Sequence, residues 1–185
     1  MQTTYQIDPA HSSAGFSVRH MMITNVRGGF RKVTGTLVHD PENPANSSVD
    51  ATIDATTIST LDDQRDAHLK SADFLDVEKY PTITFKSTKI KASSPERGTM
   101  TGDLTIKGNT KPVTLNVVKY GEFNDPNMGH RIAYAAEGQI KRSDFGMSFN
   151  AMLDGKFIVS DQIQINIEGE LVEVPVAAAV GTTGS

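Results

Sequence analysis

The residues of this 185-residue chain best suited to chemistry are its five histidines, because it has no cysteine. Without thiols there are no disulfides and no thiolate metal sites, and the redox compartment is left open. His11, His20 and His68 come from separated segments and lack metal-site spacing. Serine, histidine and aspartate supply the parts of a hydrolase on paper. No Gly-x-Ser-x-Gly appears, however, and no nucleophile sits on a recognisable strained turn. No glycine-rich phosphate loop follows a strand. Asp73 and Asp76 read as turn and cap residues rather than an acid/base pair. Arg142 and Asp144 are placed to pair with each other, or Arg142 faces an anionic group. His20 shares a strand face with Phe16 and Val18. A buried imidazole there needs hydrogen-bond partners, from the backbone, from Ser or from a ligand. This inventory predicts no enzyme, no metal site and no cofactor.

Composition narrows the partners. Hydrophobic residues make up 37% and charged residues 22%, and the formal net charge is −4. No Lys/Arg cluster appears, so no nucleic-acid footprint is expected. No apolar run approaches the ~20 residues of a membrane-spanning helix. The opening MQTTYQIDPAHSS has no basic segment followed by an apolar one. As it stands, the sequence predicts a cytoplasmic protein, or a periplasmic one if a signal peptide has been removed.

The elements that must position these residues are strands. Apolar and polar residues alternate with period two along most of the chain. Tyr5 to Ile7 is a short start, and Phe16, Val18 and His20 mark one face of the next strand. Val33, Gly35 and Leu37 mark another, and Val49 to Ala55 a third. Ile83 to Ile90, Met100 to Ile106, Val113 to Val117 and Ile132 to Ile140 follow, with Val118 and Tyr120 suggesting a bulge. Ile163 to Leu171 is last. Lys107 to Pro112 reads as a hairpin-like turn. The expectation is an all-β, eight-stranded antiparallel barrel, with a sandwich as its rival. Residues 1–173 form one domain, and an Ala/Gly/Thr-rich tail, 174–185, is loosely ordered.

Gly35, Gly102, Gly138 and Gly169 fall in register with the apolar side chains. Inward glycines permit the bends of barrel closure, and they also remove side chains from the lumen. An eight-stranded barrel is either just filled or able to hold one ligand. Both readings stay open: a hollow carrier, or a filled barrel that acts through its surface as an interaction or stress-related module.

Thr60 to Phe85 breaks the alternation. Leu61, Arg65 and Leu69 are spaced for a helix from about Leu61 to Lys70, with capping pairs at Ser59/Asp62 or Thr60/Asp63. Pro81 ends any helix and biases Tyr80 toward extended geometry. Phe74, Leu75, Val77 and Tyr80 form an apolar cluster too long for a plain turn. The stretch reads as a lid or end-plug between strands 3 and 4, or as a crossover that only caps the core.

IDPAHSSAGFSVRHM (Ile7 to Met21), VRGGF (Val26 to Phe30), HLKSADFLDVEKYPTITF (His68 to Phe85), LTIKGNTKPV (Leu104 to Val113) and IKRSDFGM (Ile140 to Met147) together resemble the YceI-like family of lipocalin-like, polyisoprenoid-binding proteins. The resemblance implies a barrel with an elongated apolar pore for an isoprenoid or other long lipid chain, and no catalysis. The ligand is then an isoprenoid quinone, a polyprenyl phosphate, a fatty-acid derivative or a similar amphiphile. The partners expected are that lipid, a second copy in a homodimer, and a membrane touched transiently. Strand parity and the resemblance together put Phe16, Val18, Phe30, Phe85, Leu104 and Ile106 in the pore. Tyr134, Phe145 and Met147 join them, with Phe74 and Tyr80 at the lid, Arg142 nearby and His20 as the main ionisable group.

Overall fold

The protein is described here as a computed structural model, over residues 1–21, 23–153 and 156–175. Its strands close into a ring. β1 (Thr3–Ile7) bends at Asp8 into β2 (Ser13–His20), and β3 (Thr24–Phe30) bends into β4 (Val33–His39). β5 (Ser48–Asp54) passes through a single 3₁₀ turn into β6 (Ile58–Ser59), and α1 (Asp63–Lys70) follows. Then come β7 (Thr82–Ala92), β8 (Arg97–Ile106), β9 (Asn109–Asp125) and β10 (Gly129–Lys141). Two short strands, β11 (Met152–Leu153) and β12 (Lys156–Phe157), pair with each other before β13 (Val159–Glu173).

The early strands act as bent pairs. β13 pairs with β10 on one side; on the other it pairs first with β2 and then, at its end, with β1. β4 pairs with β1 and β5, while β3 pairs with β2 and β6. Eight antiparallel runs therefore close on themselves, and the barrel replaces the sandwich alternative. Closure satisfies the backbone groups that an open sheet leaves at its edges.

Local chemistry explains the joints. Lys107 and Gly108 both have positive φ and form a two-residue turn between β8 and β9, as tight hairpins require. The turn is shorter than the Lys107–Pro112 stretch read from sequence, because Thr110 to Pro112 already belong to β9. Pro112 is tolerated because β10 pairs with β9 only from Asn116 onward, leaving an edge where Pro112 needs no amide hydrogen. The register shift at Ala133/Tyr134 makes Tyr120 the extra residue of a bulge, as its pattern suggested.

The excursion from Thr60 is a plug. Asp62 caps α1 by accepting from the Arg65 amide at 2.9 Å. Asp66 accepts from the Thr60 amide and hydroxyl at 2.7 and 2.6 Å. Leu61 lies outside the helix, with φ of 62°, and is 91% exposed. The expected Leu61–Arg65–Leu69 face is thus reduced to Leu69. The tight turns that follow α1 bury Phe74 and Leu75. Lys107 Nζ donates to the Ala72 carbonyl at 2.6 Å, tying this segment to the β8–β9 turn. The tail predicted to be loose lies, from residue 176, outside the described residues.

The β1–β2 bend is held by charge. Arg131 on β10 pairs with Asp8 at 3.0 Å and with Glu170 on β13. A hydrogen bond from His11, then one from the Ala10 amide, holds the Asp8 carboxyl down at about 2. A depressed carboxylate stabilises the fold above its unfolded value near 3.8, and that contribution disappears as pH falls toward 2. Urea unfolding between pH 5 and pH 2 is expected to show stability falling with acid, and less steeply in Asp8→Asn. Equal slopes in the two proteins would remove Asp8 from the account.

Candidate functional site

Inside the ring runs a cavity of about 860 Å³. Its wall follows strand parity. Phe16 and Val18 come from β2, Phe30 from β3, Phe85 from β7, Leu104 and Ile106 from β8, and Tyr134 from β10. Such aliphatic and aromatic walls hold water poorly.

The two ends differ. At the α1 end the cavity stops on Ile58, Phe74, Leu75 and Met147, all buried. The plug is therefore a floor. At the opposite end the lining residues Pro41, Lys91, Ser94, Pro95, Glu96 and Arg97 are exposed. The entrance lies there, between the β7–β8 hairpin and the loop after β4.

Several expected site residues take other places. Phe74 belongs to the floor, where its ring meets His68 and Phe149 edge-on at centroid distances of 5.0 and 5.5 Å. Tyr80 does not line the cavity; its ring lies against Gly108, and Lys79 sits 5.1 Å from its centroid. Phe145, 1% exposed, is packed in the core without reaching the lumen. His20 also lies off the lumen, although parity placed it there. It is the last residue of β2, pairing with Val159 where the register of β13 shifts, so its position is on the rim rather than the wall. The ionisable groups that do line the cavity are His39, Lys119 and Tyr134 toward the entrance, Arg142 at the floor, and Lys91, Glu96 and Arg97 on the mouth.

Arg142 does not pair with Asp144, and two of its three nitrogens are taken up by backbone carbonyls. Its Nε donates to the Ser160 carbonyl at 3.1 Å, and its Nη1 to those of Met147 and Phe149 at 2.8 and 2.6 Å. Burial pushes its pKa down from the ordinary value, and Asp161 partly opposes this. The residue pins the irregular segment after β10 against the start of β13. Among the described residues, one histidine–carboxylate group has metal-like spacing, Asp8, His11 and Glu170. Arg131 already bonds both carboxylates, so the group reads as an ion-pair network.

Sequence reasoning missed His39, Lys119 and the entrance loops. His39 and Lys119 continue the inward parity of Leu37 and Val117, a signal that the strand pattern contains. The loops leave no periodic trace.

The inward glycines have two different roles. A Cβ on Gly102 would lie 2.4 Å from the Phe85 ring and 2.6 Å from the Lys86 carbonyl. One on Gly138 would meet Leu115 at 2.5 Å, and one on Gly35 the Asp50 carbonyl at 2.2 Å. Those three admit close neighbours rather than opening the lumen. Gly169 lines the cavity, and its nearest neighbours to a Cβ are at 3.7 and 3.9 Å.

Comparison with known proteins places this geometry. The family described as YceI-like domain matches residues 5–171. Protein YceI of Escherichia coli O6:H1 is 42% identical over 145 residues, covering 77% of this chain and 75% of that protein. The crystal structure of Burkholderia cenocepacia BcnA matches with a TM-score of 0.78 at 27% identity, covering 89% of this chain and 98% of that one. A polyisoprenoid binding domain from Saccharophagus degradans shares the fold, with a TM-score of 0.66 at 14% identity over 94% of this chain and 99% of that one.

The glycines yield a paired test. Gly169→Phe is expected to fold with an unchanged circular dichroism spectrum while filling part of the lumen. Gly102→Phe, driven into the Lys86 carbonyl, is expected to lose several kcal/mol, more than the ~1–3 kcal/mol typical of overpacking. Equal thermal stability of the two variants would contradict the assignment.

Proposed function

We infer that this chain, which belongs to the YceI-like family, holds a polyisoprenoid or similar long-chain amphiphile in its lumen, for transport, storage or sequestration and without catalysis. The observation that carries this reading is the apolar cavity of about 860 Å³, which among the described residues ends on buried side chains toward α1 and on exposed ones at the opposite end. Its volume lies in the upper part of the ~300–1,000 Å³ range of ligand pockets. The same architecture in a polyisoprenoid binding domain supports the ligand class. A filled barrel acting only through its surface does not accommodate a hollow of this size.

The energetics favour a carrier that works between lipid phases. Taking an alkyl chain out of water yields roughly 0.8 kcal/mol per CH₂, so a chain of ~20 carbons exceeds any realistic affinity when water is the reference. In a bilayer the chain is already dry. Transfer to the lumen is then near neutral for the tail, and selectivity rests on the length, width and polar groups of the pore.

Protein purified without detergent is expected to yield one equivalent of a long-chain lipid on organic extraction and mass spectrometry, or to take one up when offered prenols or fatty acids. Gly169→Phe is expected to retain at least tenfold less. A wild-type protein that neither carries nor takes up any such chain would defeat the reading.

A further inference from the structure

The lumen is apolar along most of its length; Arg142 interrupts it at the floor, and a second polar group lies toward the entrance. Near the entrance, Tyr134 on β10 pairs directly with Lys119 on β9, and both line the cavity with His39 at the end of β4. Tyr134 is flanked on its other side by Gly169 of β13. Nearby, the hydroxyl of buried Tyr5 is engaged with His130 at 3.1 Å, and His130 with Glu173 at 3.0 Å. The Lys119 ammonium is held by Glu122 at 2.5 Å. Among the described residues, neither the Tyr134 hydroxyl nor the His39 imidazole bonds to any protein group.

Two partly buried hydrogen-bonding groups without protein partners face an apolar bore, and once a chain fills the bore and displaces water they need a partner from the occupant, because a polar group then left unpaired is costly. Burial favours the uncharged form of both: it lowers the His39 pKa, with the Lys119 charge acting the same way, and raises that of the Tyr134 hydroxyl. The carboxylates Asp40 and Glu122 oppose this at His39 without reversing it. The cations offer little to a strongly anionic group. Lys119 is neutralised by Glu122, Arg142 is committed to carbonyls at the far end, and Lys91 and Arg97 lie exposed on the mouth beside Glu96. A diphosphate carried to this depth would be a charge without a free counterpart.

We propose that Tyr134 and His39 form a head-group subsite for an uncharged hydrogen-bonding head, a hydroxyl or carbonyl, so that the ligand lies head toward the entrance and tail toward α1. The subsite rests on the carrier reading above. It gives the tunnel a polarity: a chain inserted the other way would leave both groups unpartnered and bring its polar end to Phe74, Leu75 and an Arg142 whose Nε and Nη1 are already bonded to carbonyls.

The test is competition. Lipid-free protein is offered an equimolar mixture of geranylgeraniol, the C20 hydrocarbon phytane and geranylgeranyl diphosphate in lipid vesicles. Bound chains are counted after extraction. The alcohol is expected to exceed the hydrocarbon by about tenfold, about 1.4 kcal/mol, and to exceed the diphosphate. In the double variant Tyr134→Phe with His39→Phe, the alcohol-to-hydrocarbon ratio is expected to fall toward one. An unchanged ratio in that variant, or a wild type that prefers the diphosphate, overturns the subsite while leaving the carrier reading intact. A wild type that takes up none of the three overturns both. Should the double variant fail to fold, Tyr134→Phe alone is expected to reduce the ratio at least threefold, and no reduction would count against the proposal.

Discussion

Closure of the sheet is the constraint on which everything else depends. Strands this long, 17 residues in β9 and 15 in β13, would leave extended rows of unpaired amides and carbonyls if the sheet stayed open. The ring closes because β13 is long enough to take β2 along its first half and β1 at its end. The bend that lets one run change direction between those partners is at Asp8, and Arg131 bridges Asp8 to Glu170 across it. Once the ring is closed, eight strands leave an interior that side chains either just fill or leave open to one ligand, and here they leave about 860 Å³. The lumen is therefore a consequence of strand number and pairing as much as of any single residue.

The α1 segment completes that arrangement at one end. α1 itself buries none of its residues, and its capping aspartates hold it locally. The apolar work is done by Phe74 and Leu75 just beyond it. Arg142 reinforces the same end from the other side, spending its donors on carbonyls of the chain that would otherwise hang over the floor. A buried cation used as a staple, and an aromatic cluster of His68, Phe74 and Phe149, thus hold the same end by different means.

Much of this was legible in the sequence because a period of two has one meaning in a closed barrel. Strand parity, together with the family resemblance, assigned Phe16, Phe85, Leu104 and Tyr134 to the inside, and the structure places them on the lumen wall. Parity stops being informative where a strand ends. His20 obeys the pattern and still misses the lumen, since it sits where the pairing of β13 with β2 slips. The glycines were ambiguous for a related reason. Their positions announce that something approaches closely, and only the fold says whether that is a ring, as at Gly102, or space, as at Gly169. Phe145 shows the converse limit: an apolar residue next to the pore joins the packed core beneath it when its backbone is a 3₁₀ turn rather than a strand.

A bore that the described residues leave open at one end behaves as a queue with one place. No incoming chain can push a resident out through the far side, because the far side is Phe74, Leu75 and Met147. Exchange must then be dissociative: the occupant withdraws along the path by which it entered before another can follow. For such a protein the tempo of turnover is set by departure, and flooding the surroundings with fresh cargo changes which molecule enters next without hastening the moment at which the vacancy arises.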